Sequence, residues 1–176
     1  INNPDNFVSL LFYFGMVTIA GTYRGKTKFV IPNEVVREQI YAYLLSTYKE
    51  NDLYYDTYEK GELESNLAYD GDYKSYFGFI ADTIKQYASQ RDRQKGEAFV
   101  HGFTLAMTCQ NMYYRPISEL DNQAGYADIF LRPLLENYAD MEHSYIVELK
   151  YCKADATDEQ VAKLREDAIA QVNRYA

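Results

Sequence analysis

The sequence predicts an α/β fold in which a mixed β-sheet is flanked by helices and follows a mainly helical segment with a β-hairpin. Its 176 residues are 47% hydrophobic and 25% charged, which is typical of one globular domain, or of one domain with a small companion. The second half combines apolar residues at helical spacing with strand-like runs, in the order helix, strand, strand, strand, helix. The first half contains helical patterns and one pair of β-rich runs.

In the first half, turn and cap residues define most of the elements. Gly15 ends an apolar helix, and Arg24-Gly25-Lys26 separates two runs rich in β-branched residues, which predicts the hairpin. Asn33 caps the next helix. Residues 50–71 are polar and give no clear prediction. The predicted elements cover residues 5–14 (helix), 16–23 and 27–31 (strands), 33–49 (helix) and 73–88 (helix).

The second half is better organised. Thr157 and Gln160 form a capping box at the start of the last helix. On the helix before the strands, Glu97 and His101 are four residues apart and share one face. The predicted elements cover residues 95–110 (helix), 112–119, 126–131 and 144–151 (strands), and the helix from 157 onward. The stripe predicted to be buried on this last helix consists of Val161, Leu164, Ala168, Val172 and Tyr175.

The charge balance limits the functions that fit this chain. Its 26 acidic and 18 basic residues give a net charge of −8, which argues against a protein that coats DNA regardless of sequence. An enzyme whose site is built from carboxylates remains compatible with this charge. The densest basic stretch, residues 85–95, is either a solvated linker or a patch for phosphate contacts through Arg91, Arg93 and Lys95.

Cysteine usage and hydropathy suggest a compartment. Cys109 and Cys152 are too few and too far apart for a disulfide framework, so we expect a reducing compartment, the cytoplasm. The longest apolar run, Phe7–Ala20, is too short to cross a bilayer, and no signal peptide precedes it. Because the chain begins at Ile1 and ends within a helical pattern, we expect a fragment or a processed chain.

The residues best suited to bind a metal or to take part in catalysis lie in the second and third strands of this half. Alternation in the third strand places Glu148 and Lys150 on the same face, either as a surface salt bridge or as part of a metal site. Asp128 lies in the preceding strand, and a hairpin would bring it close to Glu148. Two carboxylates offer the oxygen ligands that Mg²⁺ prefers, and a lysine beside them can steady a nucleophile at a phosphate.

The order of several short motifs is more specific than any one of them. They are Glu97-Ala-Phe-Val-His101-Gly-Phe, Gly125-Tyr-Ala-Asp128-Ile-Phe-Leu, Tyr145-Ile-Val-Glu148-Leu-Lys150 and a later helix with Gln171. Over residues 97–171 the chain therefore resembles the PD-(D/E)xK nuclease superfamily. It looks most like the branch found C-terminal to AAA-ATPase-like domains in bacterial proteins. Residues 7–36 look like the segment that precedes the nuclease core in that branch.

This resemblance implies a restriction-endonuclease-like αβββα core, with a fourth strand missing, that hydrolyses phosphodiester bonds of nucleic acid, DNA being the expected substrate. It implies Mg²⁺ or Mn²⁺ held by Asp128 and Glu148, with the Leu149 carbonyl as a third ligand. Lys150 would be the catalytic lysine, Glu97 an additional acid from the first helix, and Gln171 a residue facing the site. The pattern places Gln171 beside the predicted buried stripe, where an unpaired polar group is costly.

The resemblance also suggests a division of the chain. Residues 1–90 would link to an ATPase-like domain that is absent, because the chain has no phosphate-binding Gly-x-x-x-x-Gly-Lys-[Ser/Thr] loop, and residues 91–176 would form the nuclease-like core. An inactive nuclease-fold module that binds nucleic acid or protein is the alternative. The acidic balance favours it, as does Tyr126, where the branch usually has a basic residue. His101 is open to three interpretations: a structural helix residue, a polar group beside the site, or a metal ligand.

Overall fold

The computed structural model describes residues 4–50, 53–87, 96–122, 125–152 and 155–175. The predicted phosphate-contact residues Arg91, Arg93 and Lys95 lie outside the described residues. The described residues form six helices and two small antiparallel sheets, a mixed α/β architecture. Two compact units are present, Ile1–Leu44 and Leu45–Ala176. Residues 45–87 therefore share a compact unit with the predicted core, while the proposed domain boundary near residue 90 stays a prediction.

The first unit contains the predicted hairpin. Helix α1 (Pro4–Tyr13) precedes strands β1 (Thr18–Tyr23) and β2 (Lys26–Val30), which pair antiparallel. Arg24 and Gly25 connect the strands with φ values of 49° and 76°. Two successive positive φ values match the twist of a tight hairpin turn, and glycine adopts such values without steric cost. Helix α2 (Glu34–Glu50) begins in this unit, and its residues from Leu45 onward belong to the second unit. The Asn33 side chain accepts a hydrogen bond from the Val36 amide at 3.0 Å, as the capping prediction requires.

The helical part of the second unit contains a helix that the sequence did not predict. Helix α3 (Thr57–Tyr69) begins after Asp56, whose carboxylate accepts hydrogen bonds from the amides of Tyr58 and Glu59. Helix α4 (Tyr73–Tyr87) follows a turn at Gly71, where φ is +70°. Helix α5 (Glu97–Thr108) then leads into the sheet.

The sheet consists of β3 (Tyr114–Asn122), β4 (Gly125–Pro133) and β5 (Tyr145–Val147), in the order β3-β4-β5. Both pairings are antiparallel, so the predicted mixed sheet is wrong for these three strands. The physical reason lies in the connections: only two residues separate β3 from β4, and no crossover helix lies between β4 and β5, whereas parallel neighbours require a long crossover.

The core of the second unit forms between helices and sheet. Alternate residues of β4 are buried, and most of α5 after Gly102 is buried as well. The largest fully buried side chains include Tyr76, Tyr114, Phe103, Leu45, Leu67, Met107, Ile129 and Leu131. Because β4 alternates, Asp128 lies on the face opposite Ala127 and Ile129, where its side chain is only partly covered.

Helix α6 (Asp158–Tyr175) begins with the predicted capping box. The Thr157 amide donates to the Gln160 side chain at 3.0 Å, and the Gln160 amide donates to the Thr157 hydroxyl at 3.3 Å. The predicted buried stripe is wrong: no described residue of α6 is buried, and Val161 is 44% exposed. This helix covers only part of the small sheet, so even its apolar face stays partly accessible. No helix among the described residues is long and apolar enough to cross a membrane.

Candidate active site

The site begins where the pairing between β4 and β5 ends. Ile129 and Val147 form the last pair, and the next residues on the two strands are Asp128 and Glu148. The Asp128 carboxylate accepts a hydrogen bond from the Leu149 amide, with Oδ2 and N 2.8 Å apart. The Leu149 amide thus bonds to a side chain of β4 just after β5 has ended at Val147. The prediction of a strand over 144–151 is therefore wrong beyond Val147, although the predicted approach of the two segments is confirmed.

Glu148 and Lys150 meet directly, as strand alternation suggested. Lys150 Nζ donates to Glu148 Oε1 at 2.6 Å. The Glu148 side chain is 4% exposed and the Lys150 side chain 24% exposed. The second oxygen, Glu148 Oε2, is buried and has no hydrogen-bond partner among the described residues. A buried carboxylate oxygen without a partner is costly, so a water molecule or a cation at this atom would be favourable.

Two further acids, Asp128 and Glu97, act electrostatically on Lys150. Burial alone lowers the pKa of Lys150, but the hydrogen bond and charge of Glu148 oppose it, and the charges of Asp128 and Glu97 add to that effect. The net result is a raised pKa, so the side chain remains an ammonium ion at neutral pH. Three carboxylates thus act on one lysine, and the site carries an excess of negative charge.

Helix α5 contributes Glu97 and His101 from one face, as their spacing predicted. Both line a cavity of about 350 Å³ together with Ala98, Asp128 and Leu149. His101 Nε2 lies 3.1 Å from the Asp128 carbonyl oxygen and 3.3 Å from Ser118 Oγ. The structure therefore places His101 beside the site, in contact with the main chain of a predicted metal ligand.

Helix α6 approaches the site from the other side. A cavity of about 180 Å³ is lined by Glu148, Lys150, Cys152, Val161, Leu164, Arg165 and Ala168. Gln171 is half-buried, three residues beyond Ala168, but it lines neither this cavity nor the one beside Glu97. Its predicted role at the site stays a prediction. Arg165, for which no role was predicted from the sequence, shares the cavity with Lys150. The helical spacing of Arg165 from Val161 and Ala168 could have identified it.

The donor set suits a hard divalent cation only if water completes the coordination. Among the described residues, no group of three or more His, Cys, Asp and Glu side chains could hold a metal ion. Asp128 on β4 and Glu148, directly after β5, nevertheless supply carboxylate oxygens, and Glu148 Oε2 is buried without a partner among the described residues. Mg²⁺ retains several waters and is often bound through one or two carboxylates. The residues present therefore fit such an ion.

Comparison with known proteins agrees with this geometry. Residues 95–176 match the family model of the PD-(D/E)XK nuclease superfamily. The matched segment contains Glu97, Asp128, Glu148 and Lys150, and it supports a nuclease-like domain in this part of the chain. The chain has no significant match to a curated protein or to a solved structure.

Proposed function

We propose that the chain contains a metal-dependent nuclease that hydrolyses phosphodiester bonds in nucleic acid. The observation that carries the proposal is the buried Glu148 carboxylate, which binds Lys150 through one oxygen and leaves the other without a partner. Among the buried side chains of the described residues that have an unpartnered polar atom, Glu148 is the one with a carboxylate. The family match over residues 95–176 supports the same conclusion independently.

The side chains have separate roles in this proposal. Asp128 and Glu148 would hold Mg²⁺ or Mn²⁺, with the Leu149 carbonyl as a further ligand. When bound, such an ion polarises a phosphate and lowers the pKa of a coordinated water. The Leu149 amide fixes the Asp128 carboxylate in place. Lys150, an ammonium ion beside these acids, would steady the nucleophile and offset negative charge that develops on the phosphate.

The acidic character of the site suggests an order of binding. Glu97, Asp128 and Glu148 place three negative charges around Lys150, so a phosphate is repelled until a cation reduces that charge. We therefore expect nucleic-acid binding to require the divalent ion. The basic residues Arg91, Arg93 and Lys95 are proposed to contact the backbone, with DNA as the expected substrate.

Metal binding and cleavage test this proposal with matched variants. Calorimetry with Mn²⁺ and a cleavage assay on mixed DNA and RNA compare the wild type with Glu148→Gln and Lys150→Met. The wild type should bind and cleave, Glu148→Gln should weaken Mn²⁺ binding by more than about tenfold, and Lys150→Met should bind metal without cleaving. Glu136→Gln, an exposed loop change, is the control. Equal Mn²⁺ binding by wild type and Glu148→Gln would overturn the proposal.

A second candidate function is an inactive nuclease-fold module that binds nucleic acid or protein. The net charge of −8 favours it, and so does the engagement of Lys150 by Glu148. Such a module would bind its partner equally well with a chelator present and in the Glu148→Gln variant. In either case, attachment to an ATPase-like domain stays a prediction from the sequence.

A further inference from the structure

His101 contacts the main chain of Asp128, not its carboxylate. His101 Nε2 lies 3.1 Å from the carbonyl oxygen of Asp128, while the carboxylate of the same residue accepts a hydrogen bond from the Leu149 amide. Asp128 is thus held at two points, by a helix side chain at its main chain and by the β5 segment at its side chain. Neither contact occupies Asp128 Oδ1.

The chemistry of the contact determines which partner donates. A carbonyl oxygen only accepts, so His101 Nε2 must carry the proton in this hydrogen bond. Ser118 Oγ lies 3.3 Å from the same nitrogen and accepts a weaker share of that donor. Through His101, α5 is therefore connected to β4 at Asp128 and to β3 at Ser118. The same helix presents Glu97 to the same cavity.

We propose that His101 is a positioning residue that fixes the main chain of Asp128 so that its carboxylate can bind the metal. This inference rests on the proposed function, because it assigns Asp128 as a metal ligand. Residues that hydrogen-bond to a ligand set its orientation, and losing one typically costs 10–100-fold in metal affinity. His101 acts through Asp128 and does not itself touch the metal or substrate.

Two amide substitutions at His101 distinguish the effect of its hydrogen bond to the Asp128 carbonyl from the effect of the size of its ring. In His101→Gln the side-chain amide reaches about as far as Nε2, whereas in His101→Asn it is one bond shorter, with the same polar group. Mn²⁺ binding is measured by calorimetry, and hydrogen exchange of the Leu149 amide is measured by NMR without metal. Ser118→Ala, which removes only the weaker contact, is the matched control.

We expect His101→Asn to weaken Mn²⁺ binding by about 10–100-fold and to speed exchange of the Leu149 amide. His101→Gln and Ser118→Ala should stay within about threefold of the wild type in both measurements, well below the 10–100-fold weakening expected for His101→Asn. Wild-type Mn²⁺ affinity in His101→Asn would overturn the inference. An equal loss of affinity in His101→Asn and His101→Gln would also overturn it, because position 101 would then matter for packing alone. A wild type that binds no Mn²⁺ overturns the proposed function instead.

Discussion

Two lysine–glutamate pairs lie in different parts of the second unit. Lys60 and Glu64 are one helical turn apart on α3, and both side chains are almost fully buried, at 7% and 6% exposure. Lys150 and Glu148 are two residues apart at the end of β5, with Lys150 partly open to solvent. The first pair is enclosed within the helical part of the unit, whereas the second lines a cavity beside α6.

The two pairs differ in what remains after the salt bridge forms. In the site, Glu148 keeps a buried oxygen without a partner, and Asp128 and Glu97 add negative charge around the same lysine. On α3, burial raises the pKa of Glu64, and the charge and hydrogen bond of Lys60 offset only part of that effect. The glutamates of the two pairs are buried to a similar extent, at 6% and 4% exposure, so the pairs differ in their unmet partners and not in the burial of the glutamate.

The largest expected effect on stability comes from breaking the α3 pair. Glu64→Ala leaves the Lys60 ammonium buried without its partner, which should lower the free energy of unfolding by about 3–5 kcal/mol. Urea denaturation followed by circular dichroism measures this loss. Glu62→Ala, an exposed change on the same helix, should alter it by less than about 0.5 kcal/mol.

Removing both charges is the sharper control. The double variant Lys60→Met/Glu64→Leu should recover most of the stability lost in Glu64→Ala, because two buried charges no longer need to be desolvated. A double variant as unstable as Glu64→Ala would contradict this account. It would show that the pair supports the fold through its shape or through further contacts.

The second largest effect is expected at the turn between α3 and α4. Gly71 has a φ of +70°, and an added Cβ would lie 3.2 Å from His143 Nε2. Gly71→Ala should therefore lower the free energy of unfolding by about 1–2 kcal/mol, measured by thermal denaturation. Gly61→Ala is the contrasting variant, because Gly61 lies inside α3 without a positive φ and an added Cβ meets nothing within 4 Å there, so the free energy of unfolding should stay unchanged or rise by up to about 1 kcal/mol. Mn²⁺ affinity should be unchanged in Gly71→Ala. A parallel loss of metal binding would mean that the site depends on this helical part.

The raised pKa of Glu64 predicts a pH dependence with a definite sign. Protonation is easier in the folded state than in the unfolded state, so this group's stabilising contribution is complete below about pH 4.5 and is lost as pH rises through the folded pKa. The free energy of unfolding of the wild type, relative to that of Glu64→Gln, should therefore fall as pH rises from about 4.5 through the folded pKa of Glu64. The fall should be about 1.4 kcal/mol for each unit by which this pKa is raised. Urea titrations at half-unit pH steps measure the difference, and a rise with pH contradicts the prediction.

Capping residues made several elements predictable from the sequence. Asn33 and the Thr157/Gln160 box form the hydrogen bonds that their positions implied. Helix α3 was missed because its buried face includes Lys60 and Glu64, so its apolar pattern is weak. Asp56, which caps the helix, was the signal that could have revealed it.

The site was predictable in its residues but not in its geometry. Strand alternation placed Glu148 and Lys150 together, and the contact is present. Alternation could not show that the Asp128 carboxylate binds the Leu149 amide or that β5 ends at Val147, because a pattern along one segment does not define its contacts with another. The contact of His101 with Asp128 likewise depends on how α5 packs against β4, which spacing along one helix does not define.

The smallest expected effect on stability, at Glu148, tests the comparison most directly. Glu148→Gln keeps an acceptor for Lys150 and replaces the unpaired oxygen with an amide. It also lowers the repulsion from Asp128, so without metal the free energy of unfolding should stay within about 1 kcal/mol of wild type or rise. With Mn²⁺ at 100 times the wild-type dissociation constant, the wild type should gain about 2.7 kcal/mol, whereas Glu148→Gln should gain less than about 1.4 kcal/mol. Urea denaturation with and without Mn²⁺ measures both. If Glu148→Gln without metal lost as much free energy of unfolding as Glu64→Ala, the Glu148–Lys150 ion pair would have a structural role like that of Lys60 and Glu64.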